Sequence, residues 1–288
     1  MSTGALVVEN DPTDDARRLG DWLTEAGLDL AVVRPHAGDA LPGDAGGYAA
    51  LVVLGGEQHA YPAADGSPGA SWFPALESLL RKAVRQRVPT LGVCLGGQLL
   101  ATALGGTVER SASGPEIGAT LVARRDVADR DPLFAAVPFA PDVLQWHADE
   151  ITELPPRAVL LAASTRYPHQ AFRAGDAAWG LQFHIECDTG MIATWVSDNL
   201  DLLAELGRDP IEVLEAFDAA MDDVAAVWRP FAESTSRCNW RAARSGSAAR
   251  ASVSNSAAAG GSTGACVVSS HRPSAHNAAP ACAASVKP

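Results

Sequence analysis

Short apolar runs alternate with segments in which apolar residues recur every three or four positions. Residues 5–8, 30–33, 48–54 and 90–93 are the runs, and segments at about 14–26 and 74–87 carry the helical period. In the second helix Leu76, Leu79, Leu80, Ala83 and Val84 form one stripe. Asn10-Asp11-Pro12-Thr13 reads as a turn and cap, and Gly27 as a stop. Such alternation predicts a mostly parallel sheet with helices on both faces, an α/β architecture. Beyond Gly106 the pattern loosens. Strands are expected at 107–110 and 119–123, around the turn Gly114-Pro115-Glu116-Ile117-Gly118, and again at 143–147, 158–163, 170–173 and 179–184. Helices at 189–206 and 211–228 close the pattern, which ends near Phe231.

Cys94 falls where the period changes. Thr90 to Val93 is a buried-strand run introduced by Pro89, whereas Leu95, Leu99, Leu100, Ala103 and Leu104 recur at helical spacing up to Gly105-Gly106. Gly92 and Gly96 flank the cysteine at two residues on either side. This is the cysteine counterpart of a nucleophile elbow, in which small neighbours let a sharp turn expose one side chain. The helix also points its N-terminus at the sulfur, which favours thiolate over thiol. A buried cysteine acting as a small hydrophobe is the alternative reading.

Composition narrows the field. The 288 residues are 47% hydrophobic and 19% charged, ordinary for a globular chain with a core. A net charge of -12 argues against nucleic acid or an anionic membrane as partner. All 34 acids lie at or before Glu233, against 16 of the 22 basic residues, so that part carries -18 and the last 55 residues +6. Residues 1–231 are read as one domain, and 232–288, rich in Ala, Ser, Gly and Arg without apolar periodicity, as a disordered tail. No apolar run reaches the ~20 residues of a membrane span. The N-terminus reads as a strand and not as a signal peptide, and the five cysteines form no C-x-x-C pair. A reducing, cytoplasmic setting is expected.

A thiolate nucleophile needs a base, and the base an orienting acid. Two segments offer both, Phe183-His184-Ile185-Glu186 and Trp146-His147-Ala148-Asp149. In extended chain, residues two apart share a face, so either histidine can reach its acid. The more apolar strand before His184 favours that pair, with the other left open. Backbone N–H groups for a developing oxyanion are available from the Leu54-Gly55-Gly56-Glu57-Gln58 loop and from Leu95.

The segments Leu-Gly-Gly at 54–56, Gly-Val-Cys-Leu-Gly-Gly-Gln at 92–98 and Gly-Leu-Gln-Phe-His-Ile-Glu at 180–186 resemble the class I, triad-type glutamine amidotransferases. The similarity is greatest to stand-alone proteins related to the glutaminase domain of GMP synthase. It implies a flavodoxin-like three-layer sandwich and a Cys94–His184–Glu186 triad. It also implies an oxyanion hole from Gly56 and Leu95, with Gln98 and Gly55 as contacts of bound L-glutamine. His147 and Asp149 then match a His-x-Asp segment near the site that is not the catalytic pair.

The family usually has His-Pro-Glu, and Ile185 stands in the middle here, which is expected to loosen the alignment of base and acid. Glu57 replaces a common proline after the two glycines. The implied reaction hydrolyses the glutamine side-chain amide through a cysteinyl thioester, without metal or cofactor. There is no Walker A motif, dinucleotide fingerprint or clustered ligand set, so an acceptor for the ammonia calls for a separate synthetase. Two rival expectations remain: a cysteine hydrolase of γ-glutamyl compounds or peptides, and a catalytically silent regulatory subunit.

Overall fold

Residues 4–236 are described by a computed structural model. Five parallel strands form the centre, β1 (Gly4–Val8), β2 (Asp29–Val33), β3 (Ala50–Val53), β4 (Thr90–Val93) and, far along the chain, β12 (Ala178–Leu181). Their spatial order is β2-β1-β3-β4-β12, the doubly wound order of flavodoxin-like folds. Three antiparallel strands extend the sheet past β12: β11 (Ala171–Ala174), β10 (Val159–Ala163) and the two-residue β7 (Ala123–Arg124).

The central strands are apolar on both faces because both faces are covered. Ala5 and Val7 enter one core, and Leu6 and Val8 the other. The first core packs under α1 (Arg17–Glu25), α4 (Thr189–Asp198), α5 (Leu200–Glu205) and α6 (Pro210–Ser236). The second packs under α2 (Phe73–Gln86) and α3 (Leu95–Ala103), where Leu76, Leu79, Leu80 and Ala83 are the buried stripe that the period predicts. Two small antiparallel pairs flank the sheet: β5 (Thr107–Arg110) with β9 (Asp149–Glu153), and β6 (Glu116–Leu121) with β8 (Asp142–His147).

Several elements depart from the sequence pattern. α1 begins at Arg17, so residues 14–16 belong to the loop that precedes it and not to a first helical turn. The expected helix 189–206 is broken at Asn199, whose side chain donates to Trp195 O at 2.9 Å. β6 starts at Glu116, inside the expected turn, and β9 has no counterpart among the expected strands. Extended structure ends at Leu181, and His184 joins β8 only through a bridge to Leu144. α6 runs five residues past Phe231, and Ala232 is fully buried. Past Ser236, the disorder expected for the tail concerns residues outside the described ones.

Candidate active site

The loops after β1, β3, β4 and β12 meet at the carboxyl ends of the parallel strands, where doubly wound sheets place their ligands. Between them lies a cavity of about 340 Å³.

Cys94 occupies the hinge between β4 and α3 with φ of 49° and ψ of -111°, a conformation that costs a non-glycine residue about 1–3 kcal/mol. The surrounding packing enforces it. A Cβ on Gly96 would stand 2.0 Å from Val53 O, and one on Gly92 2.4 Å from Gly96 O. Glycines at these two positions let α3 sit directly on the sheet. Leu95 opens α3, whose first N–H groups lack intrahelical partners. Gly56 lies opposite with a φ of 156°, and a Cβ there would come within 3.0 Å of the Leu95 side chain.

His184 is buried, and its Nδ1 lies 2.5 Å from Glu186 Oε1. Its Nε2 is buried and has no hydrogen-bond partner among the described residues. Burial alone would strip its proton, but above all the Glu186 carboxylate holds its pKa well above the usual histidine range. The ring packs edge-on against Trp195, centroids 4.8 Å apart. The backbone tie to Leu144, with His184 N donating to its carbonyl at 2.8 Å, fixes the residue between sheet and cavity.

Glu186, fully buried, receives a second donor. The N–H of Ile185 reaches its Oε2 at 2.9 Å. The expected loosening at Ile185 is therefore offset by a hydrogen bond that proline could not make. Cys187 is buried beside His184, and burial pushes its thiol up, so it stays protonated. His184, Glu186 and Cys187 offer ligand atoms within 4.8 Å of one another, the grouping that could hold a metal ion among the described residues.

His147 and Asp149 do not form a side-chain dyad: the chain bends at Ala148, and β8 pairs with β6 whereas β9 pairs with β5. His147 Nδ1 faces the Asp149 backbone oxygen at 3.2 Å, and its Nε2 faces Gln145 Oε1 at 2.7 Å. Burial lowers its pKa against the pull of Glu116. The Asp149 carboxylate turns to His59 Nδ1 at 2.6 Å, to the Tyr61 hydroxyl at 3.2 Å and toward Arg110 at 3.7 Å.

A family model described as "Glutamine amidotransferase class-I" matches residues 18–198. The chain belongs to the class I glutamine amidotransferases. It is 34% identical over 167 residues to the glutamine amidotransferase-like protein YfeJ of Salmonella typhimurium, covering 57% of this chain and 68% of that one. A glutamine-hydrolyzing GMP synthase of Thermomicrobium roseum is 41% identical over 121 residues, 42% of this chain and 22% of its own length. Gamma-glutamyl peptidase 4 of Arabidopsis thaliana is 30% identical over 141 residues, 48% of this chain and 54% of its own. A glutamine amidotransferase from Thermotoga maritima superposes with a TM-score of 0.70 at 29% identity, covering 81% of this chain and 98% of that structure. The flavodoxin-like sandwich is thus the fold of the family. Among the described residues no helix is long and apolar enough to cross a membrane.

Of the residues that this family's motifs pick out, Cys94, Leu95, Gly56, Gln98 and His184 line this cavity, Glu186 stands behind His184, and Gly55 adjoins its ring. The Gln98 amide nitrogen is already shared by Asp149 O at 3.3 Å and Gln182 Oε1 at 3.2 Å. Sequence reading missed Asp14, His59, Arg110 and Trp195, which also line the cavity. Asp14 comes from the unwound start of the expected first helix. A Cβ on Gly55 would sit 2.5 Å from its Oδ2 and 3.3 Å from His184 Cε1. Burial raises its pKa to about 7, with His184 opposing and Glu186 and Asp11 adding to the rise. No spacing rule links it to Cys94, eighty positions on.

Proposed function

We propose that the chain hydrolyses the side-chain amide of L-glutamine through a thioester on Cys94 and supplies the ammonia to a separate acceptor-activating synthetase. What supports this most is a single cavity that contains a cysteine on a strained strand–helix hinge and a histidine with Nδ1 engaged by a buried carboxylate and Nε2 unengaged. Cys94 as thiolate attacks the amide carbon, and the oxyanion forms against the N–H groups of Gly56 and Leu95. His184, which holds its proton well above the usual range, gives it from Nε2 to the nitrogen as the C–N bond breaks, and ammonia leaves. Neutral His184 then takes a proton from water as the oxygen attacks the thioester. The C–S bond breaks, glutamate departs, and thiolate and imidazolium are restored. Glu186 orients the ring throughout. Arg110 suits the α-carboxylate of the substrate, and Glu57 its α-ammonium. The test is ammonia release from glutamine by the purified chain, with Cys94→Ala as control; ammonia release undiminished in that variant would refute the nucleophile.

The reading as a γ-glutamyl hydrolase has its own support. Ile117, Trp146, Trp195 and Leu202 make the cavity wall apolar, and Trp195 packs directly on the group that protonates the leaving amine. An apolar amine would bury surface there. Faster turnover of γ-glutamyl-p-nitroanilide than of glutamine would favour this reading; exclusive turnover of glutamine would remove it.

A further inference from the structure

We propose that Gln182 is a positioning residue for the Cys94 sulfur, and that the backbone carbonyl of Asp149 sets its direction through Gln98. The inference rests on the reading of Cys94 as nucleophile. It starts from an atom whose role admits no choice. A peptide carbonyl only accepts, so the Gln98 side-chain atom 3.3 Å from Asp149 O is the amide nitrogen. That nitrogen also lies 3.2 Å from the Gln182 amide and must find an acceptor there, so the facing atom is Oε1. Gln182 Nε2 is thereby turned the other way, and it stands 3.9 Å from Cys94 Sγ. Flipping either amide would set donor against donor or acceptor against acceptor in a site where Gln98 is 3% and Gln182 1% exposed.

The fold brings the three residues together by register. β12 runs parallel to β4 with Leu181 opposite Val93, and Cys94 N donates to Leu181 O at 2.8 Å. Gln182, next in line, therefore arrives beside the sulfur. Gln98 lies one helical turn along α3, its N–H bonded to Cys94 O at 3.0 Å. Asp149 opens β9, and His147 Nδ1 faces the same carbonyl oxygen at 3.2 Å. The His-x-Asp segment thus acts on the nucleophile through its backbone. An N–H aimed at sulfur holds it in place and stabilises the anion more than the neutral thiol.

The experiment is the pH dependence of Cys94 alkylation by iodoacetamide, together with kcat and KM for glutamine, in the parent, Gln182→Leu and Gln98→Leu. Iodoacetamide needs no amino-acid binding site, so the alkylation arm is independent of substrate contacts. Asp14 from the β1–α1 loop, Glu57 and His59 after β3, Arg110 from β5, His147 and Asp149 from β8 and β9, and His184 share the cavity and are unchanged in the variants. A difference between profiles therefore belongs to the amides. In Gln182→Leu the alkylation midpoint is expected to move up by about one pH unit, and kcat to fall roughly tenfold with KM little changed. Gln98→Leu is expected to move the midpoint in the same direction although it does not touch the sulfur.

Superimposable alkylation profiles, with or without a drop in kcat, would overturn the proposal and leave Gln182 a packing residue. If Gln182→Leu does not fold, Gln182→Met keeps the length of the side chain while removing the donor and adding no charge, and the same upward move is required of it. A parent that neither hydrolyses glutamine nor alkylates at Cys94 would instead defeat the reading of the site.

Discussion

Ile185 donates its backbone N–H to Glu186 Oε2 at 2.9 Å, while the other oxygen of that carboxylate meets His184 Nδ1 at 2.5 Å. The residue that stands where the family usually has proline thus holds the Glu186 carboxylate in line with His184. Ile185→Pro removes that donor from a fully buried carboxylate, and hydrogen bonds to charged groups contribute about 1.5–3 kcal/mol. A fall in kcat/KM of roughly tenfold or more is expected, since 1.4 kcal/mol is about tenfold. Ile185→Val keeps the N–H and is expected to stay within about threefold. Equal activity of the proline and valine variants in a steady-state glutaminase assay would show that the bond has no role.

Alkylation should discriminate between the two described free cysteines. Cys187 is 1% exposed and its thiol is pushed up by burial, so a glutamine-like electrophile is expected to label Cys94 alone. Peptide mapping reads the outcome, and modification of Cys187 with Cys94 untouched would reassign the nucleophile.

His184 and His147, both buried at the cavity, should respond differently to truncation. His184→Ala is expected to drop turnover to the same floor as Cys94→Ala, because residues that act as a unit do not contribute additively. His147, bonded to Gln145 and the Asp149 carbonyl, serves the architecture, and His147→Ala should leave turnover measurable with reduced stability. Equal floors for both variants would contradict that division.

Asp14 should leave a signature in stability against pH. Its pKa rises from the ordinary 3.8 to about 7 on folding, so the native state binds a proton that the unfolded state has released. Stability contributed by the neutral acid is therefore full below about 4 and is lost as pH rises toward 7, by about 1.4 kcal/mol for each pH unit crossed. Asp14→Asn removes this loss, and its stability relative to the parent is expected to improve between pH 5 and pH 8. Urea midpoints at the two pH values measure it; a constant difference would mean that Asp14 does not titrate there.

Local pattern alone determined the strand–helix hinge at Cys94, because a change of period and two flanking glycines are events within about ten residues. It also offered His184 and Glu186 as a pair by the rule for extended chain, although extended structure ends at Leu181 and the two meet in the segment beyond it. The parallel core followed from runs that are apolar at every position, as strands covered on both faces must be. The same spacing rule offered His147 and Asp149 equally, and only the tertiary structure separated the pairs. With the chain bent at Ala148, the Asp149 carboxylate goes to His59 and its carbonyl to Gln98. Asp14 from the loop after β1, Arg110 from the end of β5 and Trp195 from within α4 reached the cavity through packing across the sheet, and the Gln182 donor reached the sulfur through the register of β12 on β4. Periodicity records which face of an element is buried. Which side chains then meet is set by contacts between segments far apart in the chain, and for those no local spacing exists to be read.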